Sequence, residues 1–351
     1  MSTSYDYNNR YLYRAIQHEV GMQTRALGKN ELQLTRIGLG TWAIGGPWDY
    51  GWGPQNDADS IATIQRALEL GINWIDTAPA YGLGHGEEVV GRALRGRRNQ
   101  VIVATKCGLV WEGESQSVFG RLSAASIKKE AEDSLRRLGT DVIDLYQIHW
   151  PNPAEDIEEA WEAIHRLIQQ GKVRYGGVSN FGVQQMERIH KIHPIASLQP
   201  PYSLLDRAVE AEILPFCKEH ELGVIAYGPM AYGLLTGKYT GESLQALPND
   251  DWRCKGARFQ EPELSANLDF VAGLTALSQK TGHPVAHLAI AWVLRRPEVT
   301  AAIVGARHPR QIEETAGAVD LELSQDIMVE IERLLHKRDI ALMGQQPADG
   351  P

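Results

Sequence analysis

Short apolar runs that each end in a chemically active residue constrain this chain more than any other feature of its sequence. Residues 72–75 follow Gly71 and run into Asp76, residues 101–105 run into Lys106, and residues 142–148 run into His149. Runs of this length and composition read as buried strands. Five more stand at 36–41, 174–178, 196–199, 224–226 and 300–304. Stretches with apolar residues at helical spacing separate them, at 57–70, 87–95, 124–138, 157–170, 184–192, 208–220, 264–281 and 309–317. Strand and helix in repeated alternation are the pattern of a parallel sheet covered by helices. Two further helices, 285–294 and 324–337, fall outside the alternation and are expected to pack outside it. With no splitting linker and no repeat beyond the βα period, residues 22–338 read as one domain. An extension (1–21) precedes it and a tail (339–351) follows.

A carboxylate at the end of a buried strand loses its hydration, which pushes its proton back on unless a cation stands beside it. Lys106, at the end of the next strand, is such a partner for Asp76. Tyr81 stands five residues beyond Asp76, among Ala, Pro and Gly. Singly, each of these residues has an ordinary structural explanation; consecutive strand ends that deliver Asp, Lys and His point to a shared site. The long stretches 44–56, 107–123 and 227–263 all follow a strand's C-terminal end, where barrel enzymes build their pockets. They carry Trp48, Tyr50 and Trp52, then Trp111 and Phe119, then Tyr232, Tyr239, Trp252 and Phe259, the makings of a substrate wall.

A net charge of −9 argues against nucleic acid or an anionic membrane as the main partner. No apolar run approaches the ~20 residues of a membrane helix. Cys107, Cys217 and Cys254 have neither a disulfide framework nor zinc spacing, which fits a reducing compartment such as the cytoplasm. His283 and His287 lack the glutamate of H-E-x-x-H, and His190 and His193 lie on a polar helix end, so no metal site is expected. Two nucleotide motifs are decoys. Gly38-Leu-Gly40-Thr-Trp-Ala43 has no helix behind it to bind pyrophosphate, and Gly233 to Lys238 is one residue short of a Walker loop.

Asp76, Tyr81, Lys106 and His149, in that order, resemble the catalytic tetrad of the aldo-keto reductases, and the likeness extends over residues 24–337. The resemblance implies a (β/α)8 TIM barrel whose N-terminal end is plugged by a hairpin, here residues 24–34. It implies NADPH-dependent reduction of a small-molecule aldehyde or ketone. Tyr81 would be the acid, strengthened by Lys106; Asp76 would keep the lysine charged and His149 would hold the carbonyl oxygen. A lysine ammonium ~4 Å from the phenol is worth about 4 kcal/mol at an effective dielectric of ~20, or about three pKa units.

By the same resemblance the cofactor lies across the barrel mouth. Thr41, Trp42 and Asp76 border it, and Ser179, Asn180 and Gln199 bind its carboxamide. Tyr227, Gly228, Pro229, Met230, Ala231 and Lys238 strap its pyrophosphate. Gly305, Arg307, Gln311, Glu314 and Thr315 form the adenosine pocket, with Arg307 set for a 2′-phosphate. Met230 and Thr315 depart from the family's usual Leu and Asn, and Gly228 from its Ser. Two other readings remain. One is a redox-sensing subunit like the potassium-channel β-subunits, which typically carry Asn where His149 stands; the other is an NAD-dependent sugar dehydrogenase.

Overall fold

The computed structural model describes residues 22–343, apart from 114, 116 and 249. The expected extension lies outside the described residues. A hairpin of β1 (Thr24–Ala26) and β2 (Gln33–Thr35) comes first. The eight expected strands follow as β3 (Ile37–Gly40), β4 (Trp74–Asp76), β5 (Ile102–Cys107), β8 (Ile143–Ile148), β9 (Val173–Ser179), β10 (Ser197–Gln199), β11 (Gly223–Tyr227) and β12 (Val299–Gly305). They pair in parallel and in that order, and β12 closes onto β3. The chain is a (β/α)8 barrel.

Because side chains alternate across a strand, each strand puts one set inward and the other against the helices. Trp74, Ile102, Ala104, Leu145, Ile225, Ala301 and Ile303 fill the interior together with Leu27, Leu32 and Leu34 of the hairpin. The hairpin seals the N-terminal end, where its Gly28 lies against the backbone of Leu222 and Gly223 at the start of β11. Two residues beyond Trp74, Ala104 and Leu145 the same inward rows reach Asp76, Lys106 and Gln147, and β10 ends in Gln199 beside Asp76. Thus the period of two, with the strand lengths, carries these polar groups inward at the C-terminal mouth.

Three expectations change. The helix expected at 208–220 is a short turn, Ala208–Glu210, followed by a helix at Ile213–Glu219. Pro215 explains the break, since it is tolerated only in a first turn. Val285–Leu294, expected outside the alternation, is buried on nearly every side and packs on β12. The outer pair is instead Glu263–Thr281 with Gln325–Met343, which pack on each other, and the latter helix runs past 337 into the residues read as a tail. Finally, β6 (Leu109–Val110) and β7 (Phe119–Gly120) form a small antiparallel ribbon beside the mouth, too short to leave a periodic signal. No described helix is long and apolar enough to cross a membrane.

Candidate active site

Lys106 is fully buried, and its ammonium spends its donors on three acceptors. They are Asp76 Oδ2 at 2.7 Å, the Thr77 carbonyl at 3.0 Å and the Tyr81 hydroxyl at 3.1 Å. Asp76 Oδ1 accepts from Gln199 Nε2 at 2.8 Å, and Gln147 Nε2 stands at 3.5 Å. A buried carboxylate and a buried ammonium thus neutralise each other with almost every lone pair and proton used. Tyr81 is positioned by the loop after β4, where Gly82 (φ +63°) passes so close to Gly45 that a Cβ would meet its carbonyl oxygen. The His149 ring stands edge-on to the Tyr81 ring, 6.0 Å between centroids at 80°. The tetrad is brought together.

The electrostatics correct one expectation. Burial, then the Asp76 carboxylate and Tyr232, push the Tyr81 phenol well above its ordinary value. The adjacent ammonium does not make the phenol acidic, because burial and the Asp76 carboxylate act the other way and prevail. Burial pushes Lys106 down, with Asp76 opposing. Burial, and then the charge of Lys106, hold His149 well below the usual imidazole range, so its ring is neutral. The site therefore holds a fully protonated phenol beside a neutral imidazole.

Above these groups opens a cleft of about 1170 Å³. Most residues expected at the cofactor line it: Trp42, Ser179, Asn180, Gln199, Tyr227, Gly228, Pro229, Met230, Lys238, Gly305, Arg307, Gln311, Glu314 and Thr315. Thr41 and Ala231 do not. The Thr41 hydroxyl turns back to the Asp76 carbonyl at 3.0 Å, and Ala231 is buried beneath the strap in a left-handed turn, φ +46°. Others line the cleft but are engaged. Asn180 donates to the His149 carbonyl and accepts from the Tyr227 hydroxyl at 2.9 Å. Lys238 pairs with Glu314 at 2.6 Å, and the Thr315 hydroxyl donates to the Gln311 carbonyl. Arg307 buckles the loop after β3 to the end of β12, donating to Gln55 Oε1 at 2.8 Å and to the carbonyls of Trp52 and Pro54. Three of its five N–H donors are thereby taken.

Of the expected wall, Trp48, Tyr50, Trp52, Phe119, Tyr232, Tyr239 and Trp252 line the cleft, whereas Trp111 and Phe259 do not. Trp42 stacks on Trp252 at 5.2 Å and lies 6.5 Å from the Tyr81 ring, with Tyr232 edge-on to Trp252. Gln147, Trp150 and Asn152 also stand at the site, outside the expected set. Gln147 was findable, since it lies on the inward row of β8 two residues before His149. Trp150 and Asn152 stand in an irregular segment with no periodic signal.

A nicotinamide dinucleotide fits this donor set. Gln199 is nearly fully buried at the cleft floor, and among the described residues no protein donor reaches its side-chain carbonyl oxygen, which suits a carboxamide N–H. Ala231 and Tyr232 keep positive φ in the strap, strain typical of a ligand-holding turn. Among the described residues no cluster of side chains could hold a metal ion.

Comparison with known proteins agrees with the fold. The profile of the Aldo/keto reductase family matches residues 36–336. Aldo-keto reductase YhdN of Bacillus subtilis (strain 168) is 41% identical over 317 residues, covering 90% of this chain and 94% of YhdN. The NADH-specific methylglyoxal reductase of Escherichia coli (strain K12) is 35% identical, covering 86% and 95%. The solved glycerol dehydrogenase AKR11B4 from Gluconobacter oxydans superposes with a TM-score of 0.83 at 39% identity, covering 94% of this chain and 98% of that one.

Proposed function

This chain belongs to the aldo/keto reductase family, and from that premise we propose that it reduces aldehydes and ketones to alcohols with NADPH, Tyr81 delivering the proton. The observation that carries this reading is the Lys106 ammonium in contact with both Asp76 and the Tyr81 hydroxyl at the cleft floor. When bound, the reduced nicotinamide supplies the hydride. The carbonyl oxygen sits between the Tyr81 hydroxyl and the neutral His149 imidazole, which orients it by donating a hydrogen bond. As negative charge grows on that oxygen, Tyr81 gives up its proton, and Lys106 stabilises the phenolate left behind. Asp76 holds the ammonium in place. Trp42, Trp48 and Tyr232 give the cleft an apolar lining, which lowers the dielectric around these charges.

Ser179, Asn180 and Gln199 hold the carboxamide, while the strap from Tyr227 to Lys238 covers the pyrophosphate. The two remaining donors of Arg307 meet the 2′-phosphate, the basis for NADPH over NADH. Residues 22–338 act as one catalytic barrel in a cytoplasmic protein. Replacing Tyr81 with Phe tests the central role. Turnover should fall at least about a hundredfold, the scale of a lost general acid, while quenching of cofactor fluorescence on binding persists. Retained turnover would remove Tyr81 from its role.

A second reading has support from the similarity to a glycerol dehydrogenase. It is oxidation of a small polyol by the same groups in reverse. A phenol raised by burial is a poor base at neutral pH, so on this reading oxidation should accelerate steeply as pH rises, and assays in both directions separate the two.

A further inference from the structure

We propose that Glu130 is a positioning residue for the reaction, holding from outside the barrel the turn that sets Lys106 and His149; this rests on the reading of the tetrad given above. At the end of β5, Lys106 faces the interior and Cys107 faces outward, both buried. The chain then turns at Gly108, φ +88°, where a Cβ would lie 2.5 Å from Leu122. Three separate ties meet at this turn. The Gly108 amide donates to Glu130 Oε2 at 2.8 Å, the His149 amide donates to the Cys107 carbonyl at 2.9 Å, and the Arg121 amide donates to the Gly108 carbonyl at 3.0 Å. Leu109, the next residue, lines the cleft. The Glu130 carboxylate therefore grips a short stretch that is continuous with Lys106, hydrogen-bonded to His149 and part of the substrate wall.

Its other oxygen accepts from Ser126 Oγ at 2.8 Å. Burial pushes the Glu130 carboxyl up to about 7, against the Gly108 amide, the Ser126 hydroxyl and the charges of Arg137 and Lys129. The groups facing it are the Cys107 thiol on β5 and the Tyr146 phenol on β8, both raised well above their ordinary values by burial and so neutral. Glu87, on the helix His85–Ala93, is committed to Thr105 and Arg137. Glu130 is thus the member of this cluster that changes charge near neutrality. Ionised, it makes a charge-assisted bond to the amide; protonated, it makes a weaker one. The turn then loosens, and with it the 3.1 Å contact between Lys106 and Tyr81. A misplacement of about 1 Å at such a contact can cost a hundredfold in rate.

The test is kcat/KM against pH from 5.5 to 8.5 for the wild type, Glu130→Gln and Ser126→Ala, with cofactor Kd measured alongside. If the protonated form is inactive, the wild-type rate should fall about tenfold between pH 8 and pH 6. Glu130→Gln keeps an acceptor for Gly108 but cannot ionise, so its profile should be flat there. Ser126→Ala removes a donor that favours the ionised form, so its inflection should move to higher pH. Kd should stay constant throughout. A wild-type profile already flat, an inflection surviving in Glu130→Gln, or one unmoved in Ser126→Ala each overturns the proposal. Should Glu130→Gln fail to fold, Ser126→Ala decides. Absence of wild-type turnover with every carbonyl tried would instead overturn the tetrad reading.

Discussion

Changing Asp76 to Asn removes one charge from a buried pair and leaves its shape nearly intact. At 2.7 Å and an effective dielectric of ~20, the lost attraction on the Lys106 ammonium is about 6 kcal/mol. Deprotonating an ordinary lysine at pH 7 costs about 4.6 kcal/mol, from a reference pKa of ~10.4 at about 1.36 kcal/mol per unit. Burial already disfavours the charge on Lys106, so the variant folds with a neutral amine and the cost stops near that ceiling. The unfolded chain still carries the proton. It therefore binds one more proton than the folded variant, and variant stability rises with pH by about 1.4 kcal/mol per unit. In the wild type Asp76 opposes that loss of charge, so the slope over the same range should be smaller. Urea denaturation at pH 7, 8 and 9 should show a destabilisation of about 4 to 5 kcal/mol at pH 7, shrinking to about 2 kcal/mol at pH 9. A difference constant across that range would mean that Asp76 does not hold Lys106 as an ammonium, and the account of the site's charges would fail.

Two further outcomes follow from neighbouring groups. His149 is kept neutral in the fold, so the folded protein resists a proton that the unfolded chain accepts below pH ~6.5. Its contribution to stability is complete above that pH and is lost on acidification, by up to about 1.4 kcal/mol per unit. His149→Asn should remove this acid sensitivity in urea titrations at pH 7.5 and 5.5, and parallel wild-type and variant curves would refute it. Arg307→Ala should weaken NADPH binding tenfold to a hundredfold beyond any effect on NADH, since a hydrogen bond to a charged group is worth about 1.5–3 kcal/mol. Calorimetry with both cofactors checks this, and equal losses would reduce Arg307 to its buckle on Trp52, Pro54 and Gln55.

The sequence by itself determined the eight barrel strands, their order and the residues at their ends. Strand periodicity is local: once Trp74, Ala104 and Leu145 face inward, Asp76, Lys106 and Gln147 must follow them. What lies between strands was not legible in the same way. Whether a side chain there meets the cleft depends on which distant segment closes over it, and spacing along the chain carries no record of that. Arg307 finds Gln55 across 252 positions, the Thr41 hydroxyl turns to the Asp76 carbonyl, and Glu130 reaches Gly108 from a helix whose own pattern says only that one face is buried. The helix Val285–Leu294 shows the limit from the other side. Its sequence placed it outside the alternation, and only the closed barrel decided that it covers β12 while Glu263–Thr281 pairs with the final helix. Tyr81 lies between these cases. Its place was readable from the motif, whereas its protonation was settled by three-dimensional burial and by the Asp76 carboxylate brought close to the phenol.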